Sequence, residues 1–278
     1  LLISIFGLFI SYLILKEWAA QMSWIPPDHP RRESLIIREK LVEGFRRGIV
    51  VPQGLIAHGR GECFDYLIGE RTIEPARMAI RASAAALLLA RRPVISVNGN
   101  TAALVPEDLV RLSKELGAPL EVNLFHRTRE RAEKIARELL ELGAERVLGV
   151  DDVVEGIPWL SSERRWVSRE GILIADVVFV ALEDGDRTEA LKKMGKKVIA
   201  VDLNPLSRTA RAADITIVDN IVRAIPLLIK EIRMLRGRRR EGLEDILKSY
   251  NNGEILAEVL QHIKRRLDEI SKEIFPEL

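Results

Sequence analysis

From Pro93 to Leu235, short apolar runs alternate with helical stretches, and this alternation constrains the fold more than any other feature of the chain. Pro93–Val97, Leu120–Leu124, Arg146–Val150, Asp176–Ala181, Lys197–Val201 and Ile215–Val218 read as strands. Between and after them, Pro106–Leu116, Thr128–Leu142, Arg187–Met194, Ser207–Ala212 and Asn220–Leu235 read as helices. Gly117 and Gly143 close two of these, and Thr128 and Asp219-Asn220 supply caps. Alternation of this kind predicts an α/β fold: a Rossmann-like parallel sheet flanked by helices, with functional residues at the carboxyl ends of the strands.

The rest of the chain frames that unit. A helix is expected over Glu33–Arg47, with Leu35, Ile36, Leu41, Val42 and Phe45 on one face, and an alanine-rich helix over Glu74–Arg91. Gly54–Glu62 (GLIAHGRGE) is rich in glycine and reads as a loop, and Asp151–Arg169 as an irregular surface excursion. Past Gly237, helical stretches over Gly242–Ser249 and Glu254–Ile274 flank the turn Asn251-Asn252-Gly253, and Arg238–Arg240 reads as a solvated hinge. The expected organisation is an apolar extension over 1–21, an α/β domain over 22–236 and a helical appendix over 237–278. Leu1–Leu15 is uncharged but shorter than the ~20 apolar residues of a spanning helix. Residues 1–21 therefore read as an upstream extension ahead of Met22 rather than as a membrane anchor.

Composition narrows the function classes. The 43 basic and 41 acidic residues leave a net charge of +2, which argues against an overall nucleic-acid binder but allows a local basic pocket. Cys63 is the sole cysteine, as expected in a reducing cytoplasm, and the four histidines lack metal-ligand spacing.

Several loops carry candidate chemistry. His58-Gly59-Arg60-Gly61 starts a G-x-G, but Phe64 stands where the third dinucleotide glycine belongs. The P-loop spacing from Gly54 to Gly59 lacks its lysine and hydroxyl. A nicotinamide oxidoreductase is disfavoured accordingly. What remains is a glycine segment with His58, Arg60 and Glu62, in which Arg60 is suited to phosphate. Asn98-Gly99-Asn100 suits either recognition of polar substrate groups or a turn. Glu183, Asp184 and Asp186 suit either magnesium or the capping of the next helix. Asp202 at a strand end suits ribose hydroxyls, Arg208-Thr209 a phosphate at a helix start, and Asn220 a base or a cap. No nucleophile elbow occurs.

Val51–Glu62, Pro93–Asn100, Leu182–Ala190 and Val201–Ala210 together resemble the archaeal phosphopantothenate synthetases, also called 4-phosphopantoate–β-alanine ligases, over about Ile25 to Leu235. The resemblance implies a homodimeric, cytoplasmic, Rossmann-like enzyme of coenzyme A biosynthesis. Such an enzyme uses ATP and magnesium to join 4-phosphopantoate to β-alanine through an acyl-adenylate, without nucleic acid or membrane. Carried over by motif, the ATP residues are Arg38, Arg60, Asp202, Leu203, Asn204, Arg208, Thr209, Asn220 and Ile221. By position, Arg60, His58 and Asp186 are candidates for the chemistry, and Asn98, Asn100, Asp184 and Arg187 for substrate; no metal ligands are assigned. The alternatives are a ligase for another carboxylic acid and a nucleotide-binding module without turnover.

Overall fold

A computed structural model describes residues 25–274. The expected 1–21 extension lies outside them. The described residues open with α1 (Arg32–Arg46), α2 (Pro52–Ile68) and α3 (Glu74–Leu89). There follow β1 (Pro93–Val97), α4 (Gly99–Leu104), α5 (Pro106–Leu116), β2 (Leu120–Val122), α6 (Arg129–Glu141) and β3 (Val147–Leu148). After a hairpin of β4 (Val153–Glu155) and β5 (Trp166–Ser168) come β6 (Val177–Ala181), α7 (Gly185–Lys193), β7 (Lys197–Val201), α8 (Arg208–Ala212), β8 (Ile215–Ile217) and α9 (Ile221–Leu235). Two helices, α10 (Arg240–Lys248) and α11 (Asn252–Ile274), complete the described residues.

The main sheet has six strands, all parallel, in the order β3-β2-β1-β6-β7-β8. The chain leaves β1 toward one edge, returns, and builds the other half from β6. This is the doubly wound order, and its switch point opens a crevice between the carboxyl ends of β1 and β6. The two-residue period of the strands sorts their side chains. Ile95, Val97, Phe179, Ala181, Ile199 and Val201 join one buried cluster with the helices α3 to α6 and α9. Val94, Val178, Val180, Val198 and Ala200 join the cluster on the opposite face.

That second face explains why 151–169 is not the surface excursion expected from its composition. Ile157, Leu160, Val167 and Ile172 pack under the sheet beside Leu191 of α7. Glu121, buried on β2, accepts the backbone N–H groups of Ser168 and Ile172 and so ties the segment to the sheet. Burial pushes its carboxyl up to about 7.

The loop expected over Gly54–Glu62 is also corrected, since it lies inside α2. Pro52 opens this helix, and Gly69 ends it in the left-handed conformation. Its inward positions are His58, Glu62, Asp65 and Ile68. They are helically spaced, but three of the four are polar, so hydropathy conceals the face. Gly54 is required, because a Cβ there would lie 2.3 Å from Asn100 Oδ1. At the C-terminal end, α10 and α11 pack on α3, and α11 also meets α2 and α8. Leu256, Val259 and Ile263 share a cluster with Leu203, a residue beside the crevice.

Candidate active site

The crevice at the switch point holds a cavity of about 460 Å³. Its walls come from the ends of β1, β2, β6 and β7 and from the first half of α2. Asn98, Gly99 and Asn100 form the part after β1. Asn98 caps α4 by accepting from Thr101 N at 3.0 Å, while its amide donates to the carbonyls of Ala181 and Leu182. It thus fastens β1 to β6 where the crevice opens, and both ends of its side chain are occupied by the fold. Asn100 donates to the Gly54 carbonyl at 2.8 Å and fixes α2 against the sheet.

After β7 the chain turns through Asp202, Leu203 and Asn204, all of which line the cavity. Asp202 accepts from Asn204 N at 2.9 Å and from the Ser207 hydroxyl. Burial raises its carboxyl above the ordinary range, against the pull of those donors and of the Arg60 charge. Arg60 is exposed on the cavity wall and forms no ion pair among the described residues. His58 is buried in the same wall, and its Nε2 has no hydrogen-bond partner. Burial lowers its pKa, so the ring is neutral at neutral pH.

After β6 the geometry is electrostatic. Arg164, delivered by the segment between β4 and β5, pairs with Glu183 at 2.7 Å and Asp184 at 3.0 Å. Arg187, fully buried, bonds Glu183 from below and Ser96 at 3.0 Å. Asp184 caps α7, accepting from Arg187 N. Asp186 points away and pairs with Arg208, which also grips Glu189. The three carboxylates therefore diverge. Two are matched by buried arginines, and the third sits at the surface against Arg208.

Of the residues singled out from the sequence, His58, Arg60, Asn98, Asn100, Asp184, Asp202, Leu203 and Asn204 meet in this one cavity. Arg187 does not; it is fully buried and paired with Glu183. Asp186 lies outside too, beside the groove of Trp159 and Ser161. Arg38 is held by Glu62 and sits near Tyr66 on the far side of α2. Thr209 donates to the Glu183 carbonyl, Asn220 caps α9 and donates to Asp65, and Ile221 is in the core. None of these, nor Arg208, is in the lining of the cavity; Arg208 and Thr209 follow Ser207, which is, and Asn220 lines a separate small pocket beside His58 and Asp65.

Sequence reasoning missed Arg131 and Arg164. Arg164 carried no periodic signal. Arg131 did: it falls on the α6 face of Ile135 and Leu139, four and eight residues on, where an inward apolar side chain is the ordinary choice.

The doubly wound sheet, with a cleft that holds Arg60, Arg131 and Arg164 at its topological switch point, defines a Rossmann-like α/β protein. The family is narrower. The model of the phosphopantothenate/pantothenate synthetase family matches residues 75–266, and the chain belongs to that family. It is 56% identical over 250 residues to the 4-phosphopantoate–β-alanine ligase of Thermococcus kodakarensis, covering 90% of this chain and 95% of the relative. The Methanosarcina mazei ligase of the same name is 51% identical over 252 residues, covering 91% and 99%. That of Methanospirillum hungatei is 45% identical over 243 residues, covering 87% and 98%.

Proposed function

We infer that this chain is a ligase that condenses 4-phosphopantoate with β-alanine and draws on ATP to do so, as a step of coenzyme A biosynthesis. The observation that carries this reading is the meeting of Arg60, Asp202 and Asn204 with His58 in one cleft of a chain so close to relatives bearing that ligase name. Asp202 and Asn204 hold the ribose side of the nucleotide, and Arg60 faces its phosphates. The substrate carboxylate attacks the α-phosphorus, diphosphate departs, and the acyl-adenylate forms. The β-alanine nitrogen then attacks the acyl carbon and AMP leaves.

That second attack needs an unprotonated amine. His58, neutral and with a ring nitrogen free of protein partners, is placed to take the ammonium proton. Magnesium, when bound, would supply positive charge to the nucleotide phosphates. Among the described residues no group of three candidate ligands comes together, and no step here is assigned to the ion. Two copies of the chain form the working enzyme. Among the described residues no helix is long and apolar enough to cross a membrane, and a biosynthetic ligase of this kind is assigned here to the cytoplasm.

The test is an end-point reaction with ATP, magnesium, 4-phosphopantoate and β-alanine, with nucleotides separated by chromatography. AMP and diphosphate formed only when both organic substrates are present is the expected outcome. ADP and phosphate would replace the adenylate by an acyl-phosphate, and no turnover with any combination would overturn the ligase reading.

A further inference from the structure

Three arginines are buried among the described residues: Arg131, Arg164 and Arg187. Two of them are neutralised, since Arg164 and Arg187 converge on Glu183. Arg131 is not. Its Nε donates to the Ile49 carbonyl at 2.6 Å and its Nη1 to the His126 carbonyl at 2.8 Å. These acceptors fix the plane of the guanidinium but carry no charge to cancel its own. No carboxylate pairs with it among the described residues, and the charge that acts on it is that of another arginine, Arg164. Burial and that neighbour push its pKa down to about 10.

The chain makes room for this group. A Cβ on Gly99 would lie 2.3 Å from Arg131 Nη2 and 2.4 Å from the Ile49 carbonyl oxygen. Only glycine leaves Nη2 its place, which accounts for the middle residue of Asn98-Gly99-Asn100. Nη2 makes no hydrogen bond among the described residues, and Arg131 lines the cavity. A buried cation without a counter-charge is unfavourable in the free protein, and a bound anion relieves it. The cavity thus holds two arginines without carboxylate partners, Arg60 beside Asp202 and Arg131 on the β2 side of the switch point. The proposed reaction brings two phosphorylated substrates. With the nucleotide on the Asp202 side, Arg131 is left for the other.

Resting on the ligase reading above, we propose that Arg131 seats the phosphate of the acid substrate and is the residue that makes the enzyme select a phosphorylated acid over its unphosphorylated counterpart. A phosphate monoester accepts a forked pair of N–H bonds from a fixed guanidinium. An acid without the phosphate leaves the buried charge uncompensated, and a site built around a polar group rejects the analogue lacking it.

The test compares 4-phosphopantoate with pantoate in the wild type, Arg131→Met and Arg131→Lys. In the wild type kcat/KM favours the phosphorylated acid. In Arg131→Met that preference shrinks by about 100-fold or more, through the phosphorylated substrate, while KM for ATP stays within about twofold; Arg131→Lys falls between. Equal losses for both acids, or a rise in KM for ATP, would overturn the assignment. A second readout covers both a poorly folded variant and a wild type without ligase activity. Inorganic phosphate should raise the thermal midpoint of the wild type and of Arg60→Ala, less that of Arg131→Lys, and not that of Arg131→Met. The reverse pattern, with the response lost in Arg60→Ala and kept in the Arg131 variants, would place the phosphate elsewhere even if ligation is confirmed. Failure of ligation with the phosphate response intact would sink the ligase reading and leave the anion seat standing.

Discussion

Helices α2 and α3 are neighbours in the chain, of 17 and 16 residues, and each has a proline in its first turn. They differ in what they turn inward. α3 buries Ala76, Ala79, Ile80, Ala82, Ala84, Ala85, Ala86 and Leu87, and its small side chains let the sheet and the α9 to α11 helices close around it. α2 buries His58, Glu62 and Asp65. Two of those polar groups are matched across the interface: Glu62 by the Arg38 fork, and Asp65 by Arg223 and the Asn220 amide. His58 is unmatched. The scaffold helix is held by apolar burial. The helix that forms the cleft wall is held by ion pairs as well as by Ile68, and leaves one imidazole nitrogen without a partner among the described residues.

Substitutions in the two helices should therefore fail in different ways. The largest effect is expected at His58. His58→Gln should lower turnover with β-alanine by roughly 10²–10⁴-fold with little change in the thermal midpoint. In the wild type the acid limb of kcat/KM for β-alanine should fall below the ordinary histidine value of ~6.5, because burial favours the neutral ring, which is the active base. A limb at or above that value, or one that persists in His58→Gln, would remove His58 from the role.

Next in size is Asp65→Ala, which leaves the Asn220 amide without its acceptor and Arg223 with Asp219 alone. Denaturant unfolding should register a loss of about 3 kcal/mol. A loss under about 1 kcal/mol would mean that α2 relies on apolar contacts after all.

In α3, Ala85→Leu should cost about 1–3 kcal/mol by overpacking, while kcat of the folded protein is unchanged. A kinetic defect without a stability defect would erase the distinction between the two helices.

The smallest effect is expected at Gly59, where an added Cβ meets nothing within 4 Å. Gly59→Ala should stabilise α2 by roughly 0.5–1 kcal/mol, visible as a higher denaturation midpoint. Destabilisation there would point to an occupant of that surface in solution.

The same contrast shows how much of the molecule was legible. The strands and most helices fell within a few residues of their expected ends because their inward residues are apolar and their caps are local: Thr128 for α6, Ser207 for α8, Asn220 for α9. The α2 helix was unreadable as a helix because glycines break its propensity and carboxylates stand on its buried face. Of the cavity lining, Asp202 drew notice by its place at a strand end, and Leu203 and Asn204 by the family resemblance. Arg187 has the same composition signal as a ligand-binding arginine, and only its burial under Glu183 reveals a structural role.

The sequence alone determined the alternating order of strands and helices, and with it a parallel sheet whose functional loops share one edge, because hydrophobic period and capping act over a few residues. Tertiary structure alone decided which charged groups are neutralised. Arg131 and Arg187 look alike in the chain. One meets Glu183 and the other meets only carbonyl oxygens. That difference rests on side chains distant in sequence and on the low polarizability of the interior, where a charge is governed by its spatial neighbours.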